Sequence, residues 1–302
     1  MKIKKLLSLI LAVVIVLSFA GCVNQHANSE QNEENTLSNK DYRIAATSVA
    51  TCEILEALGV QSEHVVGIPH SDAYTVPKVY ENAKSLGSPM APDMEILKSL
   101  NADIVFTPNS LEGELKKKYD DIGVKSYFLD LKSVDGMYKS INDIGNMLGK
   151  TEEAQKLVKE YEQFKTDLEK QNKNENPPKV LILMGLPGSY VVATESSYVG
   201  SLVKLAGAEN VYGDGDGSDF LNVNVEDMLT KKPDIILRTA HALPEQVKIM
   251  FEDEFKTNDI WKHFDAVKNG KVYDLDNNKC GMSATFRYKE AIEDLKTVLY
   301  EK

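Results

Sequence analysis

From about residue 42 to its end, the chain alternates short apolar runs with stretches whose apolar positions recur at helical spacing. The apolar runs, such as "DIVFT" at 103–107 and "VLILM" at 180–184, are short and aliphatic, and they predict buried strands. Strands that alternate with helices are typical of α/β proteins. The pattern therefore predicts an α/β fold for this region.

The two halves of the region repeat one pattern. "EILKSLNADIVFTPNS" and "EDMLTKKPDIILRTAH" each predict a helix that leads directly into a buried strand. Upstream of them, 45–60 and 192–211 both run from Ala-Thr into a helix that ends at a glycine. Two echoes in the same order predict two related lobes. At a constant separation of 131 residues, the matched positions are Glu95 and Glu226, Leu97 and Met228, Asp103 and Asp234, and Ile104 and Ile235.

A long helical pattern without proline lies between the two halves, at 135–174, and either Gly145 or Gly149 is a candidate for one break in it. A helix that carries the chain from one lobe to the other leaves little room for wide hinge motion. We predict two Rossmann-like lobes joined by an interlobe helix. The predicted boundaries are 41–134 for the N-terminal lobe, 135–176 for the interlobe helix and 177–302 for the C-terminal lobe.

The N-terminus predicts export. A basic start is followed by a short apolar run and by small residues directly before Cys22. This pattern is typical of secretory signal peptides, and it resembles bacterial lipoprotein signals, which are cleaved before a cysteine that receives a lipid. A transmembrane helix is the alternative, but the apolar run is short for one. We predict a signal peptide at 1–21, lipidation of Cys22 and a flexible polar tether that continues to residue 40.

Charge and cysteine content narrow the function. Removal of residues 1–21 takes away three lysines and no acidic residue, which changes the formal net charge from −11 to −14. Nucleic-acid binding depends on a basic surface, so this acidity argues against it. Cys52 and Cys280 could form one disulfide outside the cell or remain two buried thiols, and we favour the thiols.

The motifs of common enzymes do not account for the chain. "GLPGS" and "GDGDGSD" lack the lysine and hydroxyl of a phosphate loop, and Val225 stands where a calcium loop starting at Asp214 needs glutamate. No G-x-S-x-G elbow is present, and the absence of C-x-x-C-H excludes covalent haem attachment. His64, His70 and Asp72 form a loose potential zinc group, for which surface-loop roles are the simpler interpretation.

Four segments qualify as ligand loops, because ligands of open α/β sheets bind beyond the carboxyl ends of the strands. Met90, with Pro89 before it and Pro92 after it, and His241 could face each other across a cleft. A methionine and a histidine are an axial pair used to bind haem iron. From spacing alone, buried or surface roles for both residues remain the simpler interpretation. The four segments are 46–51, 67–74, 85–92 and 238–244.

At these residues the chain resembles a known family. It looks like the binding proteins with a rigid interlobe helix that serve siderophore, cobalamin and haem importers. More closely, it is similar to the haem-receptor lipoproteins of the iron-regulated surface determinant (Isd) uptake system of Gram-positive bacteria. The resemblance extends from about residue 42 to the end. It is densest at 178–194, 202–211, 232–238 and 255–275.

The resemblance implies a haem site between the lobes, with non-covalent haem b. The family's glycine–x–Pro–Met–x–Pro motif is matched by "GSPMAP", which implies Met90 as one axial ligand. Its histidine follows the "PDIILR" strand and corresponds to His241. Backbone amides of two first-lobe loops bind the haem propionates in the family. The corresponding positions are Val49, Ala50, Ser71 and Asp72, in a chain whose second loop is one residue longer than the family's.

The resemblance also implies partners and a location. In the wider class, one glutamate on each lobe docks against the membrane permease, and the positions fit Glu95 and Glu226. The implied function is that of a monomeric lipoprotein, anchored through Cys22 at the extracellular face of the cell membrane. It would receive haem from cell-surface donor proteins, pass it to an ABC permease and perform no catalysis.

Three alternatives remain at this point. The same fold could carry a ferric siderophore or cobalamin, although anionic siderophores usually require cleft arginines and this chain has only Arg43, Arg238 and Arg287. A surface zinc hydrolase would use the His64 group and would need a third ligand and a general base. The third is a structural anchor without a ligand, which offers no explanation for the intact cleft motifs. Within the haem hypothesis, Cys280 or Met282 could compete as a soft iron ligand.

Overall fold

The computed structural model describes residues 42–71, 75–172, 176–241 and 243–300, which form two α/β lobes and a helical connection. The predicted signal peptide, Cys22, the tether and Asp72 lie outside these residues. Within the described ranges, no helix combines the length and the apolar character that crossing a bilayer requires. The predicted α/β class is confirmed.

The first lobe is built on a five-stranded sheet in which all neighbouring strands are parallel. Its strands and helices are β1 (Ile44–Ala46), α1 (Val49–Ala57), β2 (Val65–Ile68), β3 (Lys84–Ser85), α2 (Met94–Ser99), β4 (Ile104–Pro108), α3 (Glu112–Asp121) and β5 (Lys125–Leu129). The strand order is β3-β2-β1-β4-β5. All five residues of β4 are buried, as its continuous apolar run predicts for a strand covered on both faces. Because the strands are parallel, all their carboxyl ends lie at one edge.

The connection between the lobes consists of two helices, α4 (Val134–Met147) and α5 (Thr151–Gln171). The chain turns between them at Gly149, which has a φ of 67°, a value that glycine adopts without strain. Gly145, the other candidate for the break, lies inside α4. A Cβ atom there would lie 2.4 Å from the Cβ of Ala154, so glycine allows α4 and α5 to pack closely.

The second lobe contains a mixed sheet, which differs from a purely Rossmann-like lobe. Its elements are β6 (Lys179–Leu186), β7 (Ser189–Ala193), α6 (Tyr198–Leu205), β8 (Glu209–Asn210), β9 (Phe220–Leu221), α7 (Val225–Thr230), β10 (Ile235–Ala240), α8 (Pro244–Thr257), α9 (Asp265–Lys268), β11 (Val272–Asp274) and α10 (Tyr288–Tyr300). The order is β11-β10-β6-β7-β9, with β8 also on β6, and β7 is antiparallel to β6 and β9. The "LPG" turn causes this difference, since Gly188 has a φ of 82° and closes a hairpin.

The internal repeat recurs in the backbone hydrogen bonds of the two lobes. The amide of Asp103 donates to the carbonyl of Arg43, and the amide of Asp234 donates to the carbonyl of Lys179, both at 2.8 Å. In return, each aspartate carboxylate accepts the amide of the same partner at 2.8 Å. The same two-way pairing therefore fixes the start of β4 against β1 and of β10 against β6.

Other positions of the repeat match as well. Asp93 and Asn224 cap α2 and α7 with their side chains, as polar residues at this position commonly do. Asn101 and Lys232 both adopt left-handed backbone conformations, with φ of 49° and 50°. All four residues obey the 131-residue spacing, so the repeat extends beyond the positions that the sequence pattern indicated.

Aromatic packing joins the second lobe to the interlobe helices. Tyr138 of α4 stacks on Tyr161 of α5 with ring centroids 4.3 Å apart. Its hydroxyl hydrogen-bonds the hydroxyl of Tyr288, the first residue of α10, at 3.1 Å. All three rings are buried in a hydrophobic cluster that includes residues of both lobes. This continuous packing supports the expectation of restricted hinge motion.

Candidate functional site

The first lobe brings four of its predicted site residues to one edge of its sheet. Val49 and Ala50 form the first turn of α1, directly after β1. Ser71 follows β2, and Met90 lies in the turn after β3. Because β1, β2 and β3 are adjacent and parallel, these positions all lie at their carboxyl ends. Asp72, the remaining predicted first-lobe contact, lies outside the described residues.

The start of α1 provides amide groups suited to an anion. Ser48 caps the helix, and its side chain accepts the amide of Thr51 at 3.1 Å. The amides at the beginning of a helix have no acceptor within it, and the helix dipole adds a partial positive charge there. Val49 and Ala50 occupy these positions, so their amides can bind a carboxylate.

Met90 lies in a constrained turn that leaves its side chain exposed to solvent. Its side chain is 50% exposed, which is unusual for a large apolar residue. Its amide donates to the Ser88 hydroxyl at 3.3 Å, and the amide of Ala91 donates to the Ser88 carbonyl at 3.1 Å. Pro92, just after it, is buried. The turn therefore presents a thioether at the carboxyl edge of the first sheet. Because open α/β sheets bind ligands at this edge, we call it the ligand edge of the lobe.

His241 follows β10, at the carboxyl edge of the second sheet. Its amide donates to the carbonyl of Gly185 at 2.9 Å, which attaches the histidine to β6. Sequence reasoning missed Gly185 as a partner, because the two residues are distant in the chain. The Nδ1 atom of the imidazole is buried and has no hydrogen-bond partner among the described residues. Burial lowers the pKa of His241, which favours the neutral ring.

A neutral imidazole is the form that binds metal ions. Because Nδ1 of His241 is buried, an iron ion can reach this ring only through Nε2. The first lobe offers a thioether, and the second lobe offers a neutral imidazole nitrogen. Both ligand types fit haem iron.

Two contacts join the segment just before α4 to the second lobe. The amide of Ala284, in the segment after β11, donates to the carbonyl of Leu131, in the segment after β5, at 2.8 Å. A second link joins Lys132 to Asp219 at 2.9 Å. The segment that follows the carboxyl end of β5 in the first lobe therefore contacts the segment that follows the carboxyl end of β11 in the second lobe.

The family to which the chain belongs follows from a match over most of its length. The sequence model of the family described as "Periplasmic binding protein" matches residues 44–279. The chain is a periplasmic binding protein. The resemblance drawn from the sequence is confirmed.

Individual relatives of this periplasmic binding protein are close. The "High-affinity heme uptake system protein IsdE" of Staphylococcus aureus is 40% identical over 300 residues, which are 99% of this chain and 98% of the relative. An ABC transporter substrate-binding protein from Listeria monocytogenes has a solved structure with a TM-score of 0.81 and 44% identity, covering 87% of this chain and 100% of that one. The structure of S. aureus IsdE complexed with heme has a TM-score of 0.80 and 41% identity, and the match covers 86% of this chain and 99% of that one.

Cys280 and Met282, the two other candidates for a soft iron ligand, are less accessible than Met90. Cys280 is buried, and burial raises the pKa of its thiol to about 12, so it stays protonated, whereas the thiolate is the metal-binding form. Met282 is partly buried and packs against the core. Cys52 is also a free buried thiol, which confirms the interpretation of both cysteines as unpaired.

Two of the three arginines are committed to structural contacts. Arg43 donates through Nε to the carbonyl of Leu100 at 2.9 Å, near the amino end of β1. Arg238 makes two hydrogen bonds of 2.7 Å to the carboxylate of Asp274, with only 11% of its side chain exposed. This leaves Arg287, which is exposed and interacts electrostatically with Glu53. A single arginine supplies little positive charge with which to bind a trianionic siderophore.

His64, a member of the potential zinc group, makes structural contacts instead. His64 stacks on Tyr42 with ring centroids 4.2 Å apart, and its Nδ1 lies 3.0 Å from the Tyr42 carbonyl oxygen. His70 is exposed. Among the residues that the structure describes, no three His, Cys, Asp or Glu side chains form a metal-binding group. The described residues therefore give no support to a zinc hydrolase.

Glu95 and Glu226 occupy matching surface positions. Each lies in the first turn of its helix, α2 or α7, and each is exposed. A carboxylate in a first turn also stabilises the helix through the dipole, so the position has a structural benefit as well. The repeat thus places one acidic side chain at the same point of each lobe.

Proposed function

We propose that this periplasmic binding protein binds haem in the cleft between its lobes and delivers it to an ABC permease. The observation that carries the proposal is that an exposed thioether, Met90, follows β3 in the first lobe while His241, an imidazole of lowered pKa, follows β10 in the second. The relative whose structure is complexed with heme supports this cargo. The protein acts as a binding protein and performs no reaction on the haem.

In this proposal Met90 and the Nε2 atom of His241 are the axial ligands of the iron. A thioether and an imidazole favour low-spin iron and raise its reduction potential. The propionates accept hydrogen bonds from the backbone amides of Val49 and Ala50 at the start of α1. They also accept hydrogen bonds from the backbone amides of Ser71 and Asp72 in the second loop. The haem is held by coordination, hydrogen bonds and apolar contact, without a covalent bond.

We further propose that the protein works at the extracellular face of the cell membrane. The sequence pattern before Cys22 supports cleavage there and attachment of a lipid to that cysteine. A polar tether then separates the anchor from the lobes. In this position the protein would act as a monomer and receive haem from donor proteins at the cell surface.

A spectroscopic titration tests the cargo. Hemin is added to the protein lacking residues 1–22, and the absorption spectrum is recorded at each step. We expect a Soret band that saturates at one equivalent, together with the visible bands of low-spin iron. A spectrum that stays that of free hemin through the titration would reject the proposal.

Charge reversal tests permease docking. We expect the double variant Glu95→Lys, Glu226→Lys to bind hemin normally but to lower haem-dependent growth of the host by at least about tenfold, because like charges repel across an interface. The matched control, Glu114→Lys with Glu252→Lys, changes the same number of exposed glutamates elsewhere. Equal growth of the two double variants would contradict a docking role.

A further inference from the structure

The residue directly before helix α8 has a backbone conformation that is unfavourable for its side chain. Leu243, the residue just before the helix, has φ of 48° and ψ of 58°, in the left-handed region. This conformation brings the Cβ of an L-residue close to the following carbonyl oxygen. The next residue is Pro244, and proline pushes its predecessor towards extended conformations. Two local preferences therefore oppose the observed backbone.

Five of the other described helices begin in the usual way, whereas α3, α5 and α9 also lack a side-chain cap but are preceded by residues with negative φ. The first residues of those five helices are preceded by polar residues in extended conformation, and each of these side chains accepts a backbone amide. Leu243 has no side chain that could act in this way. The start of α8 is therefore not optimised for the helix itself. The polar capping residues are Ser48, Asp93, Ser133, Ser197 and Asn224.

The surrounding contacts explain how the conformation persists. On one side, the amide of His241 is bonded to the carbonyl of Gly185 on β6. On the other side, the Leu243 carbonyl accepts the amides of Gln246 and Val247 at 3.0 and 3.1 Å. Val247 packs so closely on Gly185 that a Cβ there would lie 2.2 Å from it. The residues on both sides are therefore fixed to β6.

The result is an apolar side chain presented to solvent beside the proposed iron ligand. Leu243 is 52% exposed. It lies two residues after His241, so their Cα atoms are within about 7 Å. In the ligand-free protein neither the strained backbone nor the exposed leucine contributes stability. Strained residues that persist under such constraints are concentrated at functional sites, where the strain places a group for binding.

We propose that Leu243 is a positioning residue for haem, and this inference rests on the proposed function. Its side chain packs against the apolar porphyrin next to His241, so that the iron meets Nε2 with the ring plane fixed. Burial of the exposed leucine surface then contributes to binding. The left-handed backbone is retained because it directs this side chain towards the cleft.

The test separates contact with haem from strain. Transfer of haem to excess apomyoglobin is timed for the purified full chain and for Leu243→Ala and Leu243→Gly. We expect both variants to lose haem about fivefold faster, while the low-spin spectrum persists because both axial ligands remain. Leu243→Gly is also expected to raise the urea midpoint of the haem-free protein above that of Leu243→Ala, since glycine adopts left-handed backbone freely.

Two further variants control the result. Leu243→Met keeps a large apolar side chain and should lose haem at nearly the wild-type rate. Ile249→Ala removes an apolar side chain of α8 that is 66% exposed, and it should leave the rate of haem loss unchanged. Wild-type haem loss in both Leu243→Ala and Leu243→Gly would overturn the inference while leaving the proposed function intact. A wild-type protein that binds no hemin would reject both.

Discussion

Replacing His241 with alanine is expected to weaken haem binding by about 100-fold or more, which corresponds to about 2.7 kcal/mol of binding free energy. Loss of a group that merely supports a metal ligand costs up to about 100-fold, so loss of the ligand itself should cost at least as much. The proposed second ligand, the thioether of Met90, is half-exposed and would hold the iron alone. Fluorescence or absorption titration with hemin measures the affinity, and the Soret and visible bands report the loss of low-spin iron.

Two variants make this result specific. Met90→Ala should also disturb the spectrum, with a smaller loss of affinity, because the imidazole stays bound to the iron. His263→Ala removes an exposed histidine of the second lobe and should leave affinity and spectrum unchanged. The assignment of Met90 and His241 as axial ligands fails if each single variant binds hemin with the wild-type affinity and spectrum.

The variant Gly200→Ala is expected to destabilise the protein by about 3 kcal/mol or more. Gly200 is buried in the first turn of α6, and a Cβ atom there would lie 1.7 Å from the carbonyl oxygen of Thr194. That carbonyl cannot move easily, because it accepts the hydroxyl of Ser197 at 2.7 Å and the amide of Ser197 at 3.1 Å. Urea unfolding of the haem-free protein measures the change in free energy.

Gly113→Ala provides the matched control. Gly113 lies in α3, and no atom would lie within 4 Å of an added Cβ. Alanine there should stabilise the protein by about 0.5–1 kcal/mol, because it restricts the unfolded chain and favours the helix. An unfolding free energy of Gly200→Ala close to that of the wild type would show that the Thr194 loop can shift without cost.

The fold was largely predictable because its signals are local or periodic. Continuous apolar runs indicated the buried strands β4 and β6, and a constant spacing of 131 residues related Glu95 to Glu226. The hairpin of β6 and β7 was missed, although Pro187 and Gly188 signal a turn.

The site was predictable only in part. The motifs around Met90 and His241 match a known family, and in the structure the two residues follow the carboxyl ends of β3 and β10. Composition could not distinguish Cys280 from Met90 as a soft ligand, because the difference is burial. Nor could the sequence show that Arg238 is engaged by Asp274, because β10 and β11 become neighbours only in the sheet.

The sequence by itself determined the class of fold, the repeat of two lobes and the residue types available at the loops. These depend on hydrophobic periodicity and on turn chemistry, which act over a few residues. The tertiary structure alone decided the lowering of the His241 pKa, the attachment of this residue to Gly185 and the left-handed backbone of Leu243. Each of these results from contacts between segments that are distant in the chain, where desolvation and packing override local preference.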